Sequence, residues 1–245
     1  MINIEALKLM DDLKQLINTS DYVGKKFEDL SAEYGIPNKD LDAFTRDKGA
    51  CGKLLDFIVT GSYTDTRPEA DLKRFGQRYL VEQKVVPLSY SKRKGKYHNA
   101  NQFVPEETIK ITAAKSTPFI DFQSSVLREK TEYALYHFWG YKGAKLKRLQ
   151  SPFLGVLPHA LDKEAMQRIE SEHDEIQSHI NKCVREFGFI KKGTTSVNKW
   201  VQIRTAGNGN GAKRTYCWYF TKIFTLENLI PRIDSEQFKY VYGVK

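Results

Sequence analysis

Apolar residues recur along the chain with two periods, and the switches between them divide it into elements. Leu7, Met10, Leu13 and Ile17 fall at helical spacing within residues 3–18. A second short helical piece follows in "GKKFEDLSAEYGI". Next, "NKDLDAFTRDKGACGKLLDFIVTG" carries Leu54, Leu55, Phe57 and Ile58, which predicts a buried helix ended near Gly61. "SYTDTRPEAD" is a polar loop. Then the pattern becomes strand-like in "RYLVEQKVV", Arg78 to Val86, which Pro87 is expected to stop.

The polar, basic, glycine-containing stretch "YSKRKGKYHNANQ" predicts a long hairpin loop or a mobile arm. "ETIKITAA", "KTEYALYHFWGY" and "SPFLGVLP" read as further strands. The clearest helix is "DKEAMQRIESEHDEIQSHINKCVREFG". Met166, Ile169, His173, Ile176, Ile180 and Val184 form its inner stripe, with Asp162 as N-cap and Gly188 as stop. "NKWVQIR" and "RTYCWYFTKIF" predict a hairpin around a glycine-asparagine loop. No repeat and no dividing linker interrupts this order. Helices, a mixed sheet, one long helix and a final hairpin make an α/β or α+β fold in a single domain spanning 1–245.

Composition narrows the classes. Of 245 residues, 40% are hydrophobic, enough for a substantial core. A formal net charge of +9 favours a polyanionic partner. Cys51, Cys183 and Cys217 are odd in number and far apart, which argues against a disulfide framework or a zinc site. The first residues contain acids within their apolar run, unlike a signal peptide, and no apolar run reaches bilayer length. A cytoplasmic protein without a membrane anchor is expected. No Ser-His-Asp, P-loop or dinucleotide motif is visible, and the histidines show no ligand spacing. His173, on the inner stripe, is expected to be a core residue.

The candidate chemistry sits in the odd strand. Glu82 and Lys84 are two residues apart, so they share one face, roughly 6–7 Å apart along the backbone. Leu80 and Val86 lie on that face, and Tyr79, Val81 and Val85 on the other. One reading is a surface ion pair. The other is an interior pair kept because its charges have work to do, since unpaired buried charge costs several kcal/mol. Asp71 precedes them, and Asp followed by Glu-x-Lys is a metal-dependent nuclease pattern. Magnesium takes hard oxygen ligands, and a lysine can hold a water or stabilise charge on phosphorus. On this reading the face of Glu82 and Lys84 opens onto a cleft near Asp71.

"TRDKGACGKLLDFIVTG", "RPEAD" and "VEQK" occur in that order, followed by "SPFLGVLP", the long helix, "VQIR" and "WYFTKIF". This succession, over residues 40 to 225 or so, resembles the MutH-like DNA endonuclease family of mismatch-repair nicking enzymes and GATC-cutting type II restriction endonucleases. The resemblance implies a restriction-endonuclease-like mixed central sheet flanked by helices, in two lobes that form a DNA-binding cleft. It implies a Mg2+-dependent, sequence-specific endonuclease acting on double-stranded DNA, at GATC or a related site. The alternatives are a nicking enzyme of mismatch repair or a non-catalytic DNA-binding member; a homodimer on DNA is also compatible.

Carried over by position, Asp71 and Glu82 resemble the metal ligands, Lys84 the catalytic lysine and Asp56 a further helix acid. Lys130 resembles a residue that approaches the scissile phosphate. Lys48, Arg204 and Tyr219 resemble DNA contacts, Arg204 to bases and Tyr219 near an adenine. The chain departs from the pattern in three places: Asp56 stands where Glu is usual, the Asp71–Glu82 interval is longer, and Ala206 follows Arg204 where a basic residue is common. Apart from any resemblance, arginine can read guanine in the major groove. An ordinary strand-end charge at Arg204 and a core role for Tyr219 fit the residues as well. Lys92, Arg93 and Lys94 suit phosphate contacts, or a solvated surface.

Overall fold

The computed structural model describes residues 8, 11–12, 22–35, 81–114, 121–141, 150–188, 199–206 and 215–244. Asp56, Asp71, Lys48 and the helix expected before Gly61 lie outside the described residues, as does most of the first helix.

Two sheets organise the fold. Strands β1 (Glu82–Ser91), β2 (Gln102–Pro105), β4 (Tyr133–Gly140) and β5 (Phe153–Ala160) form a mixed sheet in the order β2-β1-β4-β5. β1 and β4 are parallel, while the other pairs are antiparallel. Strands β3 (Ile109–Ala114), β6 (Val201–Ala206) and β7 (Thr215–Phe220) form an antiparallel sheet with β7 in the centre. The predicted final hairpin is therefore present as β6–β7. Among the described residues, the helices with both ends in view before β7 are α1 (Phe27–Glu33), the single turn α2 (Val126–Glu129), and the long α3 (Lys163–Phe187). After β7 the chain turns through a composite segment, α-helical over Lys222–Phe224, π-helical over Thr225–Leu229 and 3-10 over Ile230–Arg232. The last helix, α4, is Ser235–Tyr242.

β1 corrects one expectation. Pro87 does not stop it; the strand runs on to Ser91. The reason lies in which way Pro87 faces. Its carbonyl accepts the Glu106 N–H at 3.0 Å, on the β2 side, where that pairing ends at Leu88 opposite Pro105. Its missing N–H is directed to the same side, so no ladder bond to β4 is lost. The basic stretch after it is the connection of the β1–β2 hairpin, with Lys92, Arg93 and Lys94 exposed.

α3 follows its sequence pattern closely. The Asp162 carboxylate accepts the Ala165 N–H at 2.8 Å, and Gly188 ends the helix at φ 73°. Ile169, His173, Ile176 and Ile180 are buried, and each buried Ile contributes about 1.5–3 kcal/mol. His173 is the expected core residue: its ring lies 5.1 Å from Trp218, and its Nδ1 hydrogen-bonds Asp174 at 2.9 Å. The stripe packs into one cluster that draws on both sheets, including Val86, Leu88 and Phe138 from the first and Ile109, Ile203 and Phe220 from the second. On the other face of the mixed sheet, α1 sets Phe27 against Trp139, with ring centroids 5.2 Å apart. Gly155, at a bulge opposite Phe138, lets the Phe238 ring of α4 approach; a Cβ there would meet that ring at 3.0 Å. Among the described residues no helix is long and apolar enough to cross a membrane.

Candidate active site

Glu82 is the first residue of β1, and its neighbour across the sheet is Ala134 of β4. Because β1 and β4 run parallel, the lead-in to β4 arrives at the same end of the sheet as Glu82. That lead-in is α2, capped by Ser125, whose hydroxyl accepts the Arg128 N–H at 3.1 Å. Lys130 is the C-cap residue of this turn. Its ammonium reaches both Glu82 carboxylate oxygens, each at 3.1 Å. Lys84, on the same face of β1, donates to Glu82 Oε1. Two lysines, one local and one 48 residues away, thus converge on a single carboxylate.

The site is enclosed. Glu82 is 2% exposed, and the Lys84 and Lys130 side chains are 13% and 10% exposed. The expected opening of this face onto a cleft is not met at Glu82, whose buried carboxylate is held by Lys84 and Lys130. The surface-pair reading fails for the same reason. Among the described residues one carboxylate faces two ammoniums, in a place where burying any charge is costly.

The floor continues across the sheet. Tyr136 is opposite Lys84 and 1% exposed. Burial, and secondarily the negative charge of Glu82, raises its hydroxyl pKa, so the phenol stays neutral. His159 of β5 is opposite Ala134, which places it in the same cross-strand row as Glu82. Its ring centroid is 6.1 Å from that of Tyr136. The imidazole pKa is lowered to about 4, by burial first and then by the Arg232 charge, with Asp162 acting in the opposite sense. Its Nε2 is buried without a hydrogen-bond partner among the described residues.

The candidate DNA-reading residues lie on the second sheet. Tyr219 is opposite Gln202 and Lys110, and Arg204 is opposite Cys217. All five side chains share one face of the sheet, on which Cys217 is fully buried. The Arg204 guanidinium lies 5.7 Å from the Tyr219 ring centroid, and its Nη1 donates to Thr108 Oγ1 at 3.1 Å. Tyr219 is half-buried rather than core. Burial and then Cys217 raise its hydroxyl pKa, while Arg204 opposes them. Lys92, Arg93 and Lys94 sit beyond the far end of β1, roughly 30 Å along the strand from Glu82, so this loop does not join the Glu82 cluster.

A second buried carboxylate escaped the sequence reading. Glu172 of α3 accepts the backbone N–H groups of Trp200 and Val201 at 2.6 and 2.9 Å, and Arg168 Nε at 3.1 Å. Arg168 lies 3.9 Å over the Trp200 ring, whose indole N–H donates to Glu227 at 2.6 Å. The signal was present in the spacing: Glu172 stands three residues after Ile169 and four before Ile176, on the buried side.

No protein-family model matches the chain, and no curated protein matches it either. Among the described residues no group of three or more His, Cys, Asp or Glu could hold a metal ion. Glu82 is the one proposed metal ligand that is described, and as a hard oxygen donor it fits magnesium.

Proposed function

We propose that the chain is a Mg2+-dependent, sequence-specific DNA endonuclease of the type II restriction kind, acting at GATC or a related site. The observation that carries this reading is the convergence of Lys130 on the buried Glu82–Lys84 pair. An acid, its i+2 lysine and a second lysine from the lead-in to the neighbouring strand meet at one end of the sheet. A further carboxylate or a phosphate oxygen would balance the second ammonium.

In this reading Glu82, with Asp71 and Asp56, holds magnesium, which when bound polarises a phosphoryl oxygen and acidifies water. Lys84 orients the attacking water or stabilises charge on the phosphoryl oxygens, and Lys130 holds the scissile phosphate. Tyr136, kept neutral, closes the floor beside them. The reaction is phosphodiester hydrolysis leaving a 5′-phosphate and a 3′-hydroxyl. Lys48, Arg204 and Tyr219 contact DNA, and Lys92, Arg93 and Lys94 meet its backbone. The mixed sheet would be a restriction-endonuclease-like core, with two lobes enclosing the DNA.

The test is digestion of methylated and unmethylated duplex DNA with magnesium, sequencing the ends. Double-strand cuts at one short sequence are expected. Glu82→Ala and Lys84→Ala should abolish cutting and keep DNA binding. Wild-type protein that cuts no DNA of any methylation state would sink the reading. Single-strand cuts that need a partner would mark a nicking enzyme instead.

A further inference from the structure

The face of the second sheet that bears Arg204 carries two exposed cations, not one. Lys110 of β3 is opposite Tyr219, and directly opposed residues share a face. The two cations flank the central strand from either side. Arg204, opposite Cys217, reaches over Tyr219; Lys110, opposite Tyr219, is near enough to act on the Cys217 thiol, whose pKa it lowers against the larger effect of burial. Both residues are exposed. The three strands, IKITAA, VQIRTA and TYCWYF, contain no acid to separate the charges. Like charges held over one strand repel each other, and a ligand offering acceptor atoms between them relieves that repulsion.

The arrangement favours a base edge over a phosphate. Thr108 occupies Nη1 of Arg204, and the Tyr219 ring lies beneath its guanidinium, so the fork is presented with its direction set. A set direction is what reading O6 and N7 of guanine requires. We propose that Lys110 is a second base-reading cation, acting beside Arg204 on guanine acceptors in the major groove, with Thr108 as the positioning residue for Arg204. This rests on the reading of the chain as a sequence-specific DNA-binding protein.

The test is selection from a random duplex library by the full chain without divalent metal, sequencing the bound fraction. Wild-type protein should enrich one motif. Lys110→Ala should lose discrimination at one G·C position by roughly 10-fold or more, the scale of a base contact, and keep the rest of the motif. Thr108→Val should relax the position read by Arg204, to a smaller degree. Lys92→Ala, at a backbone contact, should weaken all sequences alike and supplies the reference. A Lys110→Ala protein that selects the wild-type motif, with affinity uniformly lower or unchanged, overturns the proposal while leaving the DNA-binding reading in place. Wild-type protein that enriches no sequence overturns both. Lys110→Met, which keeps the apolar stem, should repeat the alanine result if that variant folds less well.

Discussion

Glu82 and Glu172 are both buried carboxylates, at 2% and 8% exposure, yet they are held in opposite ways. Glu172 is fastened by the fold: two backbone N–H groups and Arg168 supply its hydrogen bonds, and they tie α3 to the start of β6. Glu82 is met by two lysine ammoniums. Backbone donors cannot move without unfolding a strand, whereas lysine heads on flexible stems can turn toward another oxygen. The first arrangement stabilises a structure. The second keeps a charge in place while leaving its partners exchangeable, as the proposed reaction needs.

The comparison can be broken by substitution. The largest expected effect is at Glu82. Glu82→Ala should lower cleavage by on the order of 10³-fold or more, the upper scale for removing one charge-stabilising group. Its cost in stability should be smaller than that of Glu172→Ala, because both lysines can swing to water. Glu172→Ala should cost about 3–5 kcal/mol in urea unfolding, since it strands two buried backbone donors, while Arg168 keeps its pair with Glu227. Equal losses of stability in the two variants would erase the distinction between them.

His159 sharpens the picture through pH. Its folded pKa of about 4 lies below the ordinary 6.5, so between those values the unfolded state holds more protons. The stability linked to this residue is full above pH 6.5 or so and is lost as pH falls toward about 4. At about 1.4 kcal/mol per unit, the loss is on the order of 3 kcal/mol. Unfolding free energies of wild type and His159→Gln, measured from pH 7 down to 4.5, should diverge in slope; parallel curves would mean the ring is not buried neutral. His137, lowered by burial to about 3, adds a slope of the same sign to both proteins. The smallest effect is expected at Asp162→Ala, about 1 kcal/mol from the lost α3 cap, with cleavage unchanged.

Periodicity carried much of the fold. The α3 stripe, its cap and its stop were legible because a helix repeats its face every 3.6 residues and its ends need specific side chains. The β6–β7 hairpin was legible from two strand-like runs around a glycine-asparagine loop. Pro87 was misread because the effect of a proline depends on which neighbour its missing N–H would have faced. Glu172 was overlooked because its charge masked its position in the buried spacing. The site was legible in part: Glu-x-Lys gave Glu82 and Lys84 a common face, and a resemblance alone suggested Lys130. Nothing local to residues 78–86 indicates that a second lysine closes over Glu82.

The sequence by itself determined which side chains share a face and where the long helix begins and ends, because those follow from the fixed periods of local backbone geometry. Tertiary structure alone decided that Lys130 meets Glu82 and that Lys110 and Arg204 flank β7. Both pairings arise from strand order and direction, which bring together residues 48 and 94 positions apart. Local periodicity cannot encode that choice, because strand partners are selected by packing across the whole core.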